Sequence, residues 1–521
     1  MAFSSIRRAL LSLAILGSVQ ALPAQVRILR VPSKDYPTIQ SALKISSGTG
    51  WPVEVAPGVY REELKMLGAA TLRSRDGPAR TIIDGSGVSA GQPALWIGTG
   101  FCRLQGFTVR NGAAGVQVLS NDITIDNCVF ESNTGVGGIV IRDTASTVPM
   151  RATVTRCVFA RNSGSLSGGA VYYQYYRSTP GGPPSVLSFE DCVFDGNRAG
   201  SGAAIGDTTN GGAVLHLDRC VFVRNQAAAG GSTVSWQERV TLANCSFVAN
   251  GTTGSLGTVS LWNGARAEIT NCTFALNVGP DVYAGVFQSA VAPFIRITNS
   301  ILWSTIPAIV LAGSGSTVPV AKVSHCDVLG GYAGRGNINA NPQFLSSASG
   351  NVRLGATSPC LDRGDSNANG LPRTDFEGDP RRIGARVDIG ADEFDPNATQ
   401  LWGNLAQFSV SRGGNYTLAG SGGKNGEFGV LLASLSGTAP GFDAGGVHVP
   451  VNLDGATEIV LTMPGAVARF QSSGRWSASL AFPSGMPREL AGKDLRCVLL
   501  RVLPSGVATG VSNLERLVLV P

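Results

Sequence analysis

The stretch NCTFALN at residues 271–277 decides the fold, because variants of it stand at five earlier places: NCVFESN (127–133), RCVFARN (156–162), DCVFDGN (191–197), RCVFVRN (219–225) and NCSFVAN (244–250). Their cysteines, Cys128, Cys157, Cys192, Cys220, Cys245 and Cys272, follow at intervals of 29, 35, 28, 25 and 27 residues. That is a repeat period rather than a disulfide framework. An alternating strand-like segment precedes the phrase, as in ATVT (152–155), RVTLA (239–243) and AEIT (267–270). Glycines and a further strand-like run follow it, as in GGAVYY (168–173), GGSTVSW (230–236) and LGTVSLW (256–262). Each period thus holds three short strands, a unit too small to close a core alone. Stacking such units buries one continuous interior, as in a parallel β-helix.

In that stack equivalent residues lie one interstrand spacing apart. Phe130, Phe159, Phe194, Phe222, Phe247 and Phe274 then form an aromatic column, and the cysteines a second inward column of reduced thiols whose parallel side chains suit no disulfide. Asn133, Asn162, Asn197, Asn225, Asn250 and Asn277 fall at a turn, where asparagine tolerates left-handed backbone and its amide can bond its neighbours above and below.

The pairing of GGAV (168–171 and 211–214) with F-x-x-N resembles the right-handed parallel β-helix repeats of pectate-lyase-like and polymorphic-outer-membrane-type proteins, over about residues 50–345. CLDRGDSNANGLPRTDFEGDPRRIGARVDIGADEF (360–394) resembles the C-terminal motif of the choice-of-anchor Q type, which implies display at, or release from, a cell surface. The resulting expectation is an all-β chain: a right-handed parallel β-helix followed by an antiparallel β-sandwich. Its segments are a signal peptide (1–24), an N-terminal cap (25–50), the β-helix (51–345), an end segment (346–397) and a sandwich module (398–521). In the cap, DYPTIQSALKIS (35–46) reads as a short amphipathic helix with Tyr36, Ile39, Leu43 and Ile45 toward the core. FGVLLASLSG (428–437), TEIVLTM (457–463) and LRCVLLRVL (495–503) read as strands of the sandwich.

Arg7 and Arg8 ahead of the apolar run Ala9–Val19 make a secretory leader, too short to span a bilayer as a mature helix. No later apolar stretch reaches spanning length, so an exported protein without an integral membrane segment is expected. The net charge of +6 falls to +4 without the two leader arginines, too dilute for nucleic-acid binding.

Candidate chemistry lies in two places. Counting from the asparagines puts Val171, Ile205, Val234, Val259 and Val286 in one inward column. Tyr172 and Gln174, Ser235 and Gln237, Ser260 and Trp262, Phe287 and Ser289 then face out. Exposed rings with amides between them suit sugar stacking, with Tyr176, Asp207 and Glu238 as polar contacts; alternatively these rings only cover a loop. Asp365, Asn367, Asn369, Leu371 and Asp375 have the oxygen-rich alternation of a calcium loop without the closing glutamate, Phe376 standing in its place; alternatively the segment is an Asx-turn loop.

The sequence lacks the Asn-Thr-Asp or Asp-Asp with His-Gly of polygalacturonase-like enzymes. Arg156, Asp191 and Arg219 occupy matching places in consecutive repeats and read as an ion-pair ladder. The leading reading is therefore a secreted or surface-displayed protein binding an extended polysaccharide or cell-surface glycan. Alternatives are a polysaccharide lyase or glycoside hydrolase on this scaffold, and a structural passenger.

Overall fold

The computed structural model describes residues 27–520 except 99, 120–121, 145–147, 177–182, 209–211, 287–290, 314–316, 348–349, 397, 404–406, 425, 437–440, 488–489, 491–492 and 513–514. The expected signal segment lies outside the described residues. Three long parallel sheets of twelve, eleven and ten strands run through these residues, each ordered as the chain is. The first runs from Leu29–Val31 to Val320–Ser324, the second from Gly58–Tyr60 to Asp327–Val328, and the third from Leu64–Met66 to Ile309–Ala312. Each circuit lays one strand into each sheet, which makes a parallel β-helix.

The repeated phrase stacks on itself. The six phenylalanines are register partners, buried, with successive ring centroids 5.0, 4.9, 4.6, 4.4 and 4.6 Å apart and planes within 11°. Beside them the asparagines form a ladder. Asn197 donates its backbone N–H (3.0 Å) and its Nδ2 (2.9 Å) to Asn225 Oδ1, and Asn225 does the same to Asn250 Oδ1 at 3.0 and 2.9 Å. The second Nδ2 bond runs to a phenylalanine carbonyl, as from Asn225 to Phe194 O at 2.8 Å. Ser304 replaces the asparagine after Asn277, and its hydroxyl ends the ladder.

The left-handed backbone expected at these asparagines falls on the residue before each. Ser132, Arg161, Arg224, Ala249 and Leu276 have φ from +53° to +57°. The residue before each cysteine of the six phrases is left-handed too: Asn127, Arg156, Asp191, Arg219, Asn244 and Asn271. Strand alternation would turn the asparagine outward two residues after an outward one; a left-handed bend resets it, so that Cys, Phe and Asn all face the core. The bend residues face out, and Arg219 reaches Asp191 (2.7 Å) there, one rung of the expected ladder, together with Asp218 (2.6 Å) and Glu190; Arg156 pairs with Asp126 instead of Asp191.

All ten cysteines are free and buried. Thiols of the column donate to the carbonyl two residues back, as Cys245 does to Ala243 O at 3.2 Å. Burial pushes the Cys326 thiol up to about 12.

At the N-terminal end the helix Ile39–Thr49 starts at Thr38, which shares a capping box with Ser41. It buries Ile39, Ala42, Leu43 and Ser46, whereas Ile45 is exposed, since the 3.6-residue period carries it past the buried face. Beyond the last circuit, residues 346–394 turn back along the eleven-stranded sheet. Asn271 Nδ2 donates to Asp388 O and Gly390 O, Ala391 N to Thr273 Oγ1, and the buried Arg381 to Asn244 Oδ1 and Ala391 O.

The C-terminal strands form antiparallel three- and six-stranded sheets, with one parallel pair in the latter. They pack around Leu401, Tyr416, Leu418, Leu431, Leu499 and Leu517. FGVLLASLSG and LRCVLLRVL contribute strands, but TEIVLTM lies in the helix Gly455–Leu461 and its end. The Asp454 side chain accepts from Ala456 and Thr457 N–H groups, a cap that outweighs the strand-like composition.

Replacing Asn225 by Ala leaves the Asn197 donors and Phe194 O without partners inside the coil. Urea unfolding should show a loss of roughly 3 kcal/mol or more; a loss within error would disprove the ladder's energetic role. Thiol reagents should label none of the ten cysteines until the protein is denatured.

Candidate functional site

The outer face of the ten-stranded sheet presents the expected row, with one shift of register. Val171, Ile205, Val234 and Val259 pair in one column, which continues to Val282 rather than Val286. The turn after Asn277 is four residues shorter than the turn after Asn250. The buried Asp281 closes it, its carboxylate accepting from Asn277 Nδ2 (3.4 Å) and Ser304 N (3.3 Å). Tyr283, not Phe287, therefore pairs with Ser260, and Trp262 pairs with Gly285. Phe287 and Ser289 lie outside the described residues.

The middle of this face is roofed. Tyr172 is 8% exposed, Gln174 9% and Ser260 1%, so none is the open platform expected of it. Two glycines explain the roof. A Cβ at Gly168 would lie 2.6 Å from that of Tyr172, and one at Gly206 would strike the Ser167 side chain, so the turn between the two strands presses onto the sheet. Gln174 Oε1 accepts from Arg142 Nε at 3.0 Å. Further along, Gln237 Nε2 donates to Thr208 O (3.2 Å) and Asn263 Nδ2 to Gln237 Oε1 (3.3 Å).

Asp207 faces inward, in the column of Tyr173 and Trp236, because it stands two residues after the inward Ile205. Its Oδ2 accepts from Gln237 N at 3.0 Å while Oδ1 is buried without a partner, and burial pushes its carboxyl well above the usual range. It is a sealed acid, not a contact for a ligand on the face. Glu238 is exposed, its carboxyl raised by partial burial and opposed by Arg239. One of these carboxyls is inside the coil and the other outside, so they do not flank a bond.

Accessible rings remain at the ends. Tyr176 is 55% exposed. Trp262 and Tyr283 are half-buried, their centroids 5.3 Å apart and their planes at 53°. A Cβ at Gly285 would lie 2.7 Å from the Trp262 ring and 2.9 Å from the Tyr283 ring; glycine there lets both lie down on the sheet. At the other end of the row Trp96 lines a cleft of about 330 Å³ with Glu63, Lys65 and Gln92. Sequence reading missed Trp96, although the alternation in PALWI (93–97) marks it as outward.

The oxygen-rich loop is dispersed. Asp365 and Asn299 clamp each other, Asp365 N donating to Asn299 Oδ1 (2.6 Å) and Asn299 Nδ2 to Asp365 O (3.1 Å). Asp365 Oδ1 accepts from Asn367 N at 3.0 Å, an Asx turn. Asn369 is exposed and Leu371 half-buried. Asp375 is buried, and Glu377, Asp379 and Glu393 N–H groups occupy its two oxygens at 2.9, 2.9 and 3.1 Å. The adjacent Thr374 carbonyl is held by Asn244, two circuits from Asn299, so Asp375 stands about 10 Å along the stack from Asp365. Among the described residues no three His, Cys, Asp or Glu side chains gather as metal ligands. No helix among them is long and apolar enough to cross a membrane.

No protein-family model matches the chain. No curated protein matches it. Among solved structures it is similar to the tailspike protein gp49 of Acinetobacter baumannii bacteriophage Fri1, a capsular polysaccharide depolymerase, at 11% identity over 89% of this chain and 85% of that one, with a TM-score of 0.40. A likeness that distant carries no argument about the chemistry of this chain.

Burial raises Asp281 to about 7 from the ordinary 3.8, so its folded form holds a proton that the unfolded chain releases. The stabilisation is full below about pH 4 and is lost as pH rises toward 7, by roughly 4 kcal/mol at most. Thermal melts should show this fall, and Asp281→Asn should lessen it without abolishing it, because Glu393, raised to about 7, and Asp327, Asp379 and Asp388, each raised to about 6, act in the same direction; a slope unchanged by the substitution would place the titration elsewhere.

Proposed function

We propose that this protein is an exported β-helix that binds an extended polysaccharide along the flank of its ten-stranded sheet. The observation that carries the reading is the half-exposed Trp262–Tyr283 pair, next to the bonded amides Asn263 and Gln237. Rings with a polar edge beside amides suit the apolar faces and hydroxyl edges of sugars. Trp96 stands seven circuits from Tyr283 on the same outward row, about 34 Å at the interstrand spacing, and an extended chain reaching both rings would pass over the turn that roofs Tyr172. Binding is favoured over hydrolysis because Asp207 is sealed inside the coil. The leader-like residues 1–24 support export, and the motif at 360–394 supports surface attachment. Calcium at the Asp365 loop would have to be held without Asp375.

Retention on a polysaccharide panel tests this, with reducing ends and unsaturated-uronate absorbance followed in parallel. Trp262→Ala with Tyr283→Ala should weaken retention by about tenfold, two ring contacts at about 0.7 kcal/mol each. Longer oligosaccharides should bind more tightly than short ones. Retention indifferent to both rings would sink the proposal, and released product would turn it into a lyase or hydrolase.

A further inference from the structure

Several arginines of the coil pair with carboxylates on neighbouring circuits, as Arg156 with Asp126, Arg161 with Glu131, Arg224 with Asp195 and Arg296 with Glu268. Four arginines near the end of the stack have no such partner and gather in one place. Arg335, Arg363, Arg382 and Arg386 line one open cavity of about 650 Å³. They form no ion pair with a described residue, and Arg382 Nη2 donates to the Ala385 carbonyl at 3.0 Å. Asp365 is the single carboxylate of the lining.

The cavity wall also holds His325, which occupies the left-handed position before Cys326 in the last circuit. It is 7% exposed, and its Nδ1 is buried without a hydrogen-bond partner, 4.0 Å from Asp365 Oδ2. Gly336 has φ +71° and packs on the imidazole, where any Cβ would collide with the ring. Four unneutralised guanidinium groups facing one cleft focus a positive field, and their planar forks suit carboxylate or sulfate oxygens. Asp365 would repel a ligand that was anionic throughout, so the ligand must also bring a hydrogen-bond donor to the His325–Asp365 side. A volume of this order admits a small organic molecule rather than a bare ion. The lining has no aromatic ring apart from His325, which leaves a nucleotide base without a platform.

We propose that this cavity binds an acidic sugar, its carboxylate or sulfate held among Arg335, Arg363, Arg382 and Arg386 and a hydroxyl placed between His325 Nδ1 and Asp365. The site lies on the turn column and the returning segment, not on the ten-stranded sheet, so it stands independently of the flank reading.

Calorimetry on the full chain at low ionic strength, with trigalacturonate, a sulfated disaccharide, cellotriose and sodium sulfate as probes, tests the assignment. One or both acidic sugars should bind saturably, weaken as salt is added, and bind more tightly than inorganic sulfate; cellotriose should not bind. Arg363→Gln with Arg386→Gln, both exposed positions without ion pairs, should lower the affinity by about tenfold or more at an unchanged unfolding midpoint. Trp262→Ala should leave it unchanged. Binding of sulfate as tightly as the sugars, equal binding of cellotriose, indifference to the arginine pair, or binding by no probe would each overturn the proposal. A loss with Trp262→Ala alone would assign the binding to the flank instead.

Discussion

The asparagine ladder is the constraint from which the rest follows. A stack of parallel strands could slide by a residue, and a one-residue slip would exchange the inner and outer faces of every strand. Each ladder amide forbids that. Its oxygen takes both a backbone N–H and a side-chain N–H from the circuit before, and its nitrogen reaches both the next asparagine and a phenylalanine carbonyl. A slipped circuit would leave these donors unpaired where no water reaches them, and an unpaired buried polar group is costly. With the asparagines fixed, the phenylalanine faces and cysteine thiols have one place to go. The flank inherits its register from a network it does not touch.

A stack so defined leaves two open ends, and the chain treats them differently. The first is covered by the helix Ile39–Thr49. Near the last, the returning segment is sewn to the left-handed column through Asn244, Asn271 and Asn299. Asparagine adopts left-handed backbone more readily than most residues and still has an amide to spare for another segment. Earlier circuits use Arg156, Asp191 and Arg219 at this position, where the side chains pair with one another or with carboxylates of the coil itself, as Arg156 does with Asp126 and Arg219 with Asp191 and Asp218. Arg353 continues the seam by bonding Glu377 of the returning segment (2.8 Å) and Glu515 of the last strand (3.3 Å).

What the sequence made legible was whatever the repeat wrote down. Phe130 to Phe274, the cysteines and the ladder asparagines recur with the same neighbours, so their columns could be aligned by counting. Counting failed where turns change length without changing the phrase, as after Asn277, where a buried acid closes a turn short by four residues. It failed for Tyr172, whose burial depends on how a glycine turn folds over it. Asp207, expected as a polar contact, faces inward because it stands two residues after the inward Ile205, a parity that the sequence already carries. Of the Asp365 loop, the Asx turn was written in the local sequence; the separation of Asp365 from Asp375 was set by two asparagines distant in the chain.

The same division separates scaffold from recognition. Positions inside the coil are held by strict repetition and leave no freedom for a ligand, while turn lengths and outward positions vary from circuit to circuit at little cost to the core. Gln237 and Asn263 are bonded along the stack before any ligand arrives, so their remaining polar edges and the Trp262–Tyr283 rings are already ordered. Preordered contacts lose little entropy on binding, which suits a chain molecule that makes many weak contacts along one line. A buried acid such as Asp207 contributes nothing to that surface; it stands in the inward column with Tyr173 and Trp236, where burial raises its carboxyl well above the usual range. Asp207, which the sequence offers as a polar contact for a ligand, is thus a core residue, and what the flank offers a ligand is rings and amides.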